Sequence, residues 1–128
     1  GIDMPDDINE GYFLNPTIFA NVTSDMIVAK EEIFGPVLCI IGYENEEEAI
    51  NIANDSNYGL SGYISTESLD KAKEISSKIR TGMIHINYAS VDQSLPFGGY
   101  KMSGNGREWG EYGIEDYLEL KAIIGINK

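Results

Sequence analysis

The sequence predicts an α/β fold, in which a βαβαβ unit of a largely parallel sheet is followed by a glycine-rich loop and a C-terminal strand. The first observation is a continuously apolar run at residues 37–41, which is typical of a strand buried on both faces of a parallel sheet. The second is that two segments with apolar residues at helical spacing alternate with short apolar runs. The third is that six of the 14 glycines fall within residues 98–113, which predicts a long loop there. A loop of this length inside a compact chain is usually functional.

The N-terminal part of the chain is expected to begin as a loop. Residues 1–16 show no hydrophobic period and contain Asp, Asn, Gly and Pro, which are typical of turns. Two short apolar stretches follow, at residues 17–20 and 26–29, and each fits a short strand. Residues 30–36 then form a turn, because Gly35 frees the backbone and Pro36 biases it towards an extended form.

The first helix is predicted to begin at Asn45. Glu48 stands three residues later, as in a capping box. The acidic residues 46–48 also interact favourably with the positive end of the helix dipole. This helix is expected to end near residues 54–57, before Gly59.

The second helix is predicted from a hydrophobic stripe at spacings of three and four residues. The stripe consists of Leu69, Ala72, Ile75 and Ile79. Candidate caps precede it at residues 65–68, and Gly82 is interpreted as its left-handed stop. Apolar runs at residues 60–64 and 83–87 flank this helix as strands, which completes the βαβαβ order with right-handed crossovers.

The C-terminal part of the chain combines a structured loop with a strand. A short helix is expected around residues 106–112, inside the glycine-rich segment. Residues 118–126 begin with apolar and charged residues in alternation, which is typical of a strand with one face in water. A terminal strand without a partner in its own sheet tends to pair with another chain.

Composition excludes several classes of function. With 128 residues, 42% of them hydrophobic and 23% charged, the chain has the balance of one globular domain. The net charge of −12 argues against partners such as nucleic acid or an anionic membrane. A single cysteine excludes an internal disulfide framework, and with only one histidine no metal site is expected. No apolar run approaches the roughly 20 residues that span a bilayer.

Two motifs carry a resemblance to a known family. One is residues 31–37, EEIFGPV, and the other is residues 96–104, PFGGYKMSG, which continues through further glycines. Residues 57–60 and 82–87 match in order and spacing. Over almost its whole length, the chain resembles the C-terminal portion of the NAD(P)-dependent aldehyde dehydrogenase superfamily.

The resemblance implies an enzyme that oxidises an aldehyde to a carboxylic acid with NAD or NADP as cofactor. In the family, a cysteine thiolate forms a thiohemiacetal and then a thioester, which a glutamate-activated water hydrolyses. The nucleophile, the general base and the oxyanion-holding asparagine all lie upstream of the matched region. The resemblance therefore assigns no catalytic residue to this chain, and the isolated chain is expected to be inactive and to hold no cofactor by itself.

Four binding residues follow from the resemblance. Glu32 is expected to contact the nicotinamide ribose, since a carboxylate can accept hydrogen bonds from two adjacent hydroxyls. Phe34 is expected to form an apolar wall against the same ribose and the nicotinamide. Phe97 is expected to line the aldehyde pocket, and Val91 falls where relatives often carry a bulkier pocket residue. For Glu32 and Phe34 the sequence alone leaves open the plainer roles of a solvated acid and a core phenylalanine.

Three other features are interpreted as structural. Cys39, the only thiol, lies inside the apolar run and is expected to be a buried core residue, because burial suppresses the reactive thiolate. His85 alternates with isoleucines on the third strand and is expected to be a satisfied structural histidine. The glycines of residues 98–113 lack the Gly-Lys-Ser/Thr ending of a phosphate-binding loop.

The resemblance also implies how the chain is organised. Residues 1–113 correspond to the C-terminal portion of a catalytic domain, and residues 114–128 to the oligomerisation segment of a dimer or tetramer. A cytoplasmic location is expected, because the first residues resemble neither a signal peptide nor a transit peptide. The alternative is a non-enzymatic α/β module that dimerises through its last strand and keeps the family motifs as scaffold.

Overall fold

The computed structural model describes residues 7–8 and 10–125 of the chain. The chain divides between Ser56 and Asn57 into two compact units. Each unit contains one two-stranded parallel sheet, so the predicted α/β class with parallel strands is confirmed. Strands and helices alternate in the predicted order, but the strands form two separate pairs and not one continuous sheet. In the described part of the chain, no helix is long and apolar enough to cross a membrane.

The first unit is built around one strand pair. Its elements are β1 (Thr17–Phe19), α1 (Ile27–Lys30), β2 (Val37–Cys39) and α2 (Glu46–Asn54). β1 and β2 run parallel, with Ile18 opposite Leu38. The ladder continues beyond the strands, because Ile40 N donates to Phe19 O at 2.8 Å. β2 is not buried on both faces as predicted, since Leu38 is 58% exposed; an apolar run marks a doubly covered strand only where further elements pack on both faces.

The apolar stretch at residues 26–29 belongs to a helix and not to a strand. Met26 is the N-cap of α1, and Ala29 N donates to Met26 O at 3.0 Å. Glu31 N then donates to Ile27 O at 3.0 Å and closes the turn. Four apolar residues fit one helical turn as well as a short strand, so hydrophobic periodicity does not decide between them.

The predicted N-terminus of α2 is confirmed. Asn45 is the N-cap, and its Oδ1 accepts a hydrogen bond from Glu48 N at 3.0 Å. Glu48 reaches one residue further back than in a capping box, because its Oε2 accepts from Glu44 N at 2.6 Å. The helix ends at Asn54, within the predicted range.

The second unit contains the other strand pair. Its elements are β3 (Ser61–Ile64), α3 (Leu69–Ser76) and β4 (Met83–Ile86), with 3₁₀ turns at Lys101–Ser103 and Tyr112–Tyr117. β3 and β4 run parallel, with Tyr63 opposite His85. Ser68 caps α3, since its Oγ accepts from Lys71 N at 3.3 Å. Of the predicted stripe, Ala72 is completely buried, whereas Leu69 is 63% exposed and Ile79 lies beyond the end of the helix.

Gly82 allows two backbone segments to lie close together. It is not the left-handed residue that the sequence predicts at the end of the second helix. α3 ends at Ser76, and Gly82 has no positive φ. A Cβ atom on Gly82 would overlap the carbonyl oxygen of Gly98 and lie 3.3 Å from Gly99 Cα. The start of β4 therefore lies against the glycine-rich loop, and a side chain at this position would separate them.

The glycine-rich segment is a structured loop. Phe97 and Glu108 form an antiparallel bridge, in which each N–H donates to the other carbonyl at 2.7 Å. Trp109 and Gly110 have φ values of 65° and 57°, and consecutive left-handed residues end an α-helix. The prediction of a helix around residues 106–112 is therefore wrong, and the next helical turn begins at Tyr112.

Residues 118–125 are exposed and contain no strand. The backbone of Leu118 is extended, with φ −106° and ψ 137°. A strand requires a hydrogen-bonded partner, and no described residue pairs with this segment. The predicted strand is thus not formed within the described residues, and its end at Ile126 lies outside them. The role of the segment in oligomerisation stays a prediction.

Candidate functional site

Glu32 and Phe34 lie on the loop that joins α1 to β2, residues 31–36. The loop begins next to an ion pair, in which Lys30 Nζ lies 2.6 Å from Asp55 Oδ2 between partly exposed side chains. At its other end, the N–H of Val37, the first residue of β2, donates to Gly35 O at 2.7 Å. The loop is therefore held at both ends, and the two predicted binding residues lie between the anchors.

The carboxylate of Glu32 is free to bind a ligand. Glu32 is exposed, and within residues 7–8 and 10–125 its side chain makes no hydrogen bond or ion pair. An ionised carboxylate offers two oxygens that only accept hydrogen bonds. Two adjacent hydroxyls, such as those of a ribose, supply the matching donors.

Phe34 presents its ring to solvent from a strained backbone. Its φ is 55°, in the left-handed region that a bulky residue rarely adopts. The residue is 92% exposed, so it does not pack in a core within the described part of the chain. Strain of this kind clusters at binding sites. An open aromatic face two residues from a free carboxylate fits a nucleoside whose sugar and base must both be held.

Val91 lines a cavity of about 300 Å³ in the second unit. The walls come from residues 82–85, residues 89–92, the Leu95–Pro96 pair and Trp109. Val91 itself is 62% exposed. The volume is at the lower end of the range of ligand pockets, about 300–1,000 Å³, and suits a small organic molecule.

Phe97 lines a second cavity of about 270 Å³, whose walls come mostly from the glycine-rich loop. Its ring packs on Trp109 with centroids 4.7 Å apart and an angle of 34° between the planes. Trp109 also lines the cavity of Val91. The structure thus connects the two predicted pocket residues through Trp109, to which the sequence alone assigns no role. The signal was a lone tryptophan among glycines.

Arg107 holds the loop that carries Phe97. Its Nη1 donates to Gly106 O at 2.7 Å and to Gly99 O at 3.1 Å. The guanidinium carbon also lies 5.3 Å from the centroid of the Tyr100 ring, a distance suited to a cation–π contact. These contacts fix the glycine-rich loop without regular secondary structure.

The ring of His85 has the partners that a structural histidine requires. It stacks on Tyr63, with centroids 4.8 Å apart and planes inclined by 15°. Its Nδ1 donates to Ala89 O at 3.2 Å. His85 contributes to the cavity wall, and these contacts fix the orientation of its ring.

Asp92 stabilises the far side of the cavity loop. Its Oδ1 accepts from the hydroxyl of Ser94 at 2.7 Å and from the backbone N–H of Ser94 at 2.9 Å. These two bonds, the hydroxyl bond first, lower the pKa of the Asp92 carboxyl below its usual value of 3.8. The bonds therefore support the loop at neutral pH and are lost only as the pH falls through this lowered pKa.

Cys39 lies in β2, half-buried and not fully buried as predicted. Its thiol donates to Val28 O at 3.5 Å. The described residues contain no group of three His, Cys, Asp or Glu side chains that could hold a metal ion.

The aldehyde dehydrogenase family pattern matches residues 1–123. The chain belongs to the aldehyde dehydrogenase family. The 3-succinoylsemialdehyde-pyridine dehydrogenase of a Pseudomonas species is 58% identical over 125 residues, which are 98% of this chain and 26% of that protein. A putative aldehyde dehydrogenase of Staphylococcus haemolyticus is 53% identical over 125 residues, again 98% of this chain and 26% of that protein. This aldehyde dehydrogenase chain thus spans about a quarter of the length of the curated relatives it matches.

Solved aldehyde dehydrogenase structures share the fold of the chain. The Mycobacterium tuberculosis enzyme complexed with NAD+ is 52% identical, with a TM-score of 0.85 over 89% of this chain and 24% of that one. Mutant aldehyde dehydrogenase C of Pseudomonas syringae, complexed with NAD+ and octanal, is 51% identical, with a TM-score of 0.88 over 91% of this chain and 24% of that one. The family predicted from the two sequence motifs is confirmed.

Proposed function

We propose that the chain is the C-terminal part of an NAD(P)-dependent aldehyde dehydrogenase, which oxidises an aldehyde to a carboxylic acid. In this proposal the chain supplies a clamp for the nicotinamide ribose, part of the aldehyde pocket and a segment for oligomerisation. The observation that carries it is the loop of residues 31–36, where an exposed, strained phenylalanine lies two residues from a carboxylate that has no partner among the described residues. Relatives crystallised with NAD+ support the choice of cofactor.

Glu32 and Phe34 would hold the cofactor, and NAD(P)+ supplies the hydride acceptor when it is bound. The two carboxylate oxygens of Glu32 accept hydrogen bonds from the two ribose hydroxyls. The ring of Phe34 covers an apolar face beside the sugar and excludes water from it. Together they fix the position of the nicotinamide, on which the rate of hydride transfer depends.

Val91 and Phe97 would contact the aldehyde. Both lie in the second unit, where Val91 lines the 300 Å³ cavity and Phe97 packs on the tryptophan of its wall. Valine is smaller than the residue that relatives often carry, so the cavity accepts a bulkier chain. The octanal in the Pseudomonas syringae structure belongs to that protein, but it supports a pocket that takes an apolar aldehyde.

The nucleophile would come from outside this chain. Covalent aldehyde oxidation needs a thiolate that adds to the carbonyl and a base that activates water for hydrolysis of the thioester. The only thiol here is that of Cys39, which lies in a strand and donates to a backbone carbonyl. Cys39 therefore packs in the sheet and takes no part in the reaction.

The apolar surface of the chain supports a role inside a larger body. Among the described residues, the buried apolar side chains are Val22 and Ala72 alone. Large apolar residues such as Leu120 and Ile124 are fully or almost fully exposed. Exposed apolar surface on this scale marks interaction sites, and the remaining three quarters of an enzyme of the relatives' length would cover it.

The proposal predicts a clear difference in activity. The full-length enzyme is expected to reduce NAD+ or NADP+ in the presence of an aldehyde, and the isolated chain is expected to do so no faster than a control without protein. The measurement is the absorbance of the reduced nicotinamide. An inactive full-length protein would favour the non-enzymatic dimerisation module instead.

The chain is also expected to self-associate through residues 118–126. This segment is exposed, largely apolar and unpaired as far as Gly125, and an unpaired extended edge acts as a template for another chain. The net charge of −12 opposes large aggregates, so dimers are the expected species. Sedimentation should show dimers of the chain and monomers of a version ending at Tyr117. Equal association of both would exclude the segment as the interface.

A further inference from the structure

The chain reverses direction directly after β4 through two strained residues. Asn87 has a φ of 51° and Tyr88 a φ of 61°. Ala89 N donates to Ile86 O at 3.2 Å and closes a four-residue turn. Two left-handed central residues are typical of a type I′ turn, in which asparagine is one of the few non-glycine residues tolerated. Tyrosine is not one of these residues, so contacts outside the turn must stabilise it.

The side chain of Asn87 supplies that support. Its Oδ1 accepts from Thr66 N at 2.9 Å, and its Nδ2 donates to Thr66 O at 2.9 Å. The backbone N–H of Asn87 donates to Ile64 O, also at 2.9 Å. Asn87 therefore makes one hydrogen bond to the last residue of β3 and two, through its side-chain amide, to Thr66 in the segment that follows β3.

The turn leads into an exposed part of the cavity wall. Residues 89–92 line the cavity directly after the turn, and Val91 among them is mostly exposed. Its position therefore depends on how the two ends of the loop are fixed. The far end is fixed by the backbone, where Gly110 N donates to Gln93 O at 3.2 Å, and the near end is fixed by the Asn87 turn.

We propose that Asn87 is a positioning residue, which holds Val91 at the cavity wall and thereby sets the range of aldehyde chain lengths that the enzyme accepts. This inference rests on the proposed function. Asn87 touches neither aldehyde nor cofactor, and it acts through the amide pair with the backbone of Thr66. Loss of that pair lets the wall move, so the enzyme discriminates less between aldehydes of different length.

The test uses the full-length enzyme and straight-chain aldehydes from propanal to decanal. Asn87→Gly keeps the left-handed backbone accessible but removes the amide group. We expect it to reduce the ratio of kcat/KM between the best and the worst aldehyde about tenfold, the lower end of what one methylene contributes to discrimination in an apolar pocket. The KM for NAD(P)+ should stay within about twofold of the wild type, which a general loosening of the fold would not allow.

Two further variants complete the test. Thr66→Ala is the matched control, because it removes the hydroxyl that accepts from Ser68 N at 3.2 Å and keeps the backbone groups that bind the amide of Asn87. The aldehyde profile should therefore not change. Asn87→Asp keeps an acceptor for Thr66 N and loses the donor, so an intermediate profile is expected even if Asn87→Gly fails to fold. An unchanged profile in a folded Asn87 variant, or a flat profile in the wild type, would overturn the positioning role. A wild type that oxidises no aldehyde would overturn the proposed function itself.

Discussion

Glu32→Gln is expected to slow hydride transfer in the full-length enzyme about a hundredfold, a change of about 2.7 kcal/mol in the barrier. The substitution replaces a carboxylate, which accepts from two hydroxyls, by an amide with one accepting oxygen and one donating nitrogen. A hydrogen bond to a charged group contributes about 1.5–3 kcal/mol, and a displaced nicotinamide slows the reaction further. Because Glu32 has no other partner in the described part of the chain, the variant should fold normally.

Single-turnover kinetics separate hydride transfer from binding and release. The KM for the aldehyde should change little, since Glu32 is proposed to bind the ribose while Val91 and Phe97 are proposed to contact the aldehyde. Glu31→Gln is the matched control, because Glu31 is an exposed neighbour whose backbone N–H alone bonds to α1. Wild-type hydride transfer in Glu32→Gln, or an equal loss in Glu31→Gln, would exclude Glu32 as the ribose clamp.

Gly82→Ala is expected to lower the free energy of unfolding by about 3 kcal/mol. The added methyl group would overlap the carbonyl oxygen of Gly98, so the start of β4 and the glycine-rich loop must move apart. A backbone atom cannot turn away as a flexible side chain can, and this makes the overlap costly.

The control for this prediction is the Gly42→Ala variant. Urea denaturation measures the free energy of unfolding of both variants. Gly42 has no positive φ, and apart from its two chain neighbours no described residue has an atom within 4 Å of a Cβ placed there. Its free energy of unfolding should change by no more than about 0.5 kcal/mol. Equal midpoints for the two variants would mean that the contact between Gly82 and Gly98 is not part of the folded state.

Features that depend on neighbouring residues could be predicted from the sequence. The N-cap at Asn45 and the buried stripe position Ala72 are both present, because a cap and a helical period involve residues only three or four apart. The two family motifs likewise led to the aldehyde dehydrogenase family. The expected strand at residues 26–29 failed because its short apolar run has no period long enough to separate strand from helix.

Features that depend on distant residues could not be predicted. Gly82 looks like a helix stop, and only the position of Gly98 shows why a side chain cannot stand there. The sequence placed Asn87 at the end of a strand, but its hydrogen bonds to Thr66 join residues 21 positions apart. The segment from residue 118 has a strand pattern and no partner among the described residues, and a pattern cannot supply one.

The central claim is that this chain binds the cofactor and the aldehyde while the nucleophile comes from elsewhere in the enzyme. The most direct measurement is peptide mass mapping of the full-length enzyme, quenched during turnover with NAD(P)+ and octanal. Cys39 is the only cysteine of the chain, so its peptide reports on the whole segment. We predict that the octanoyl thioester forms on a cysteine outside this chain, and that Cys39 keeps a free thiol. An octanoyl group on Cys39 would contradict it.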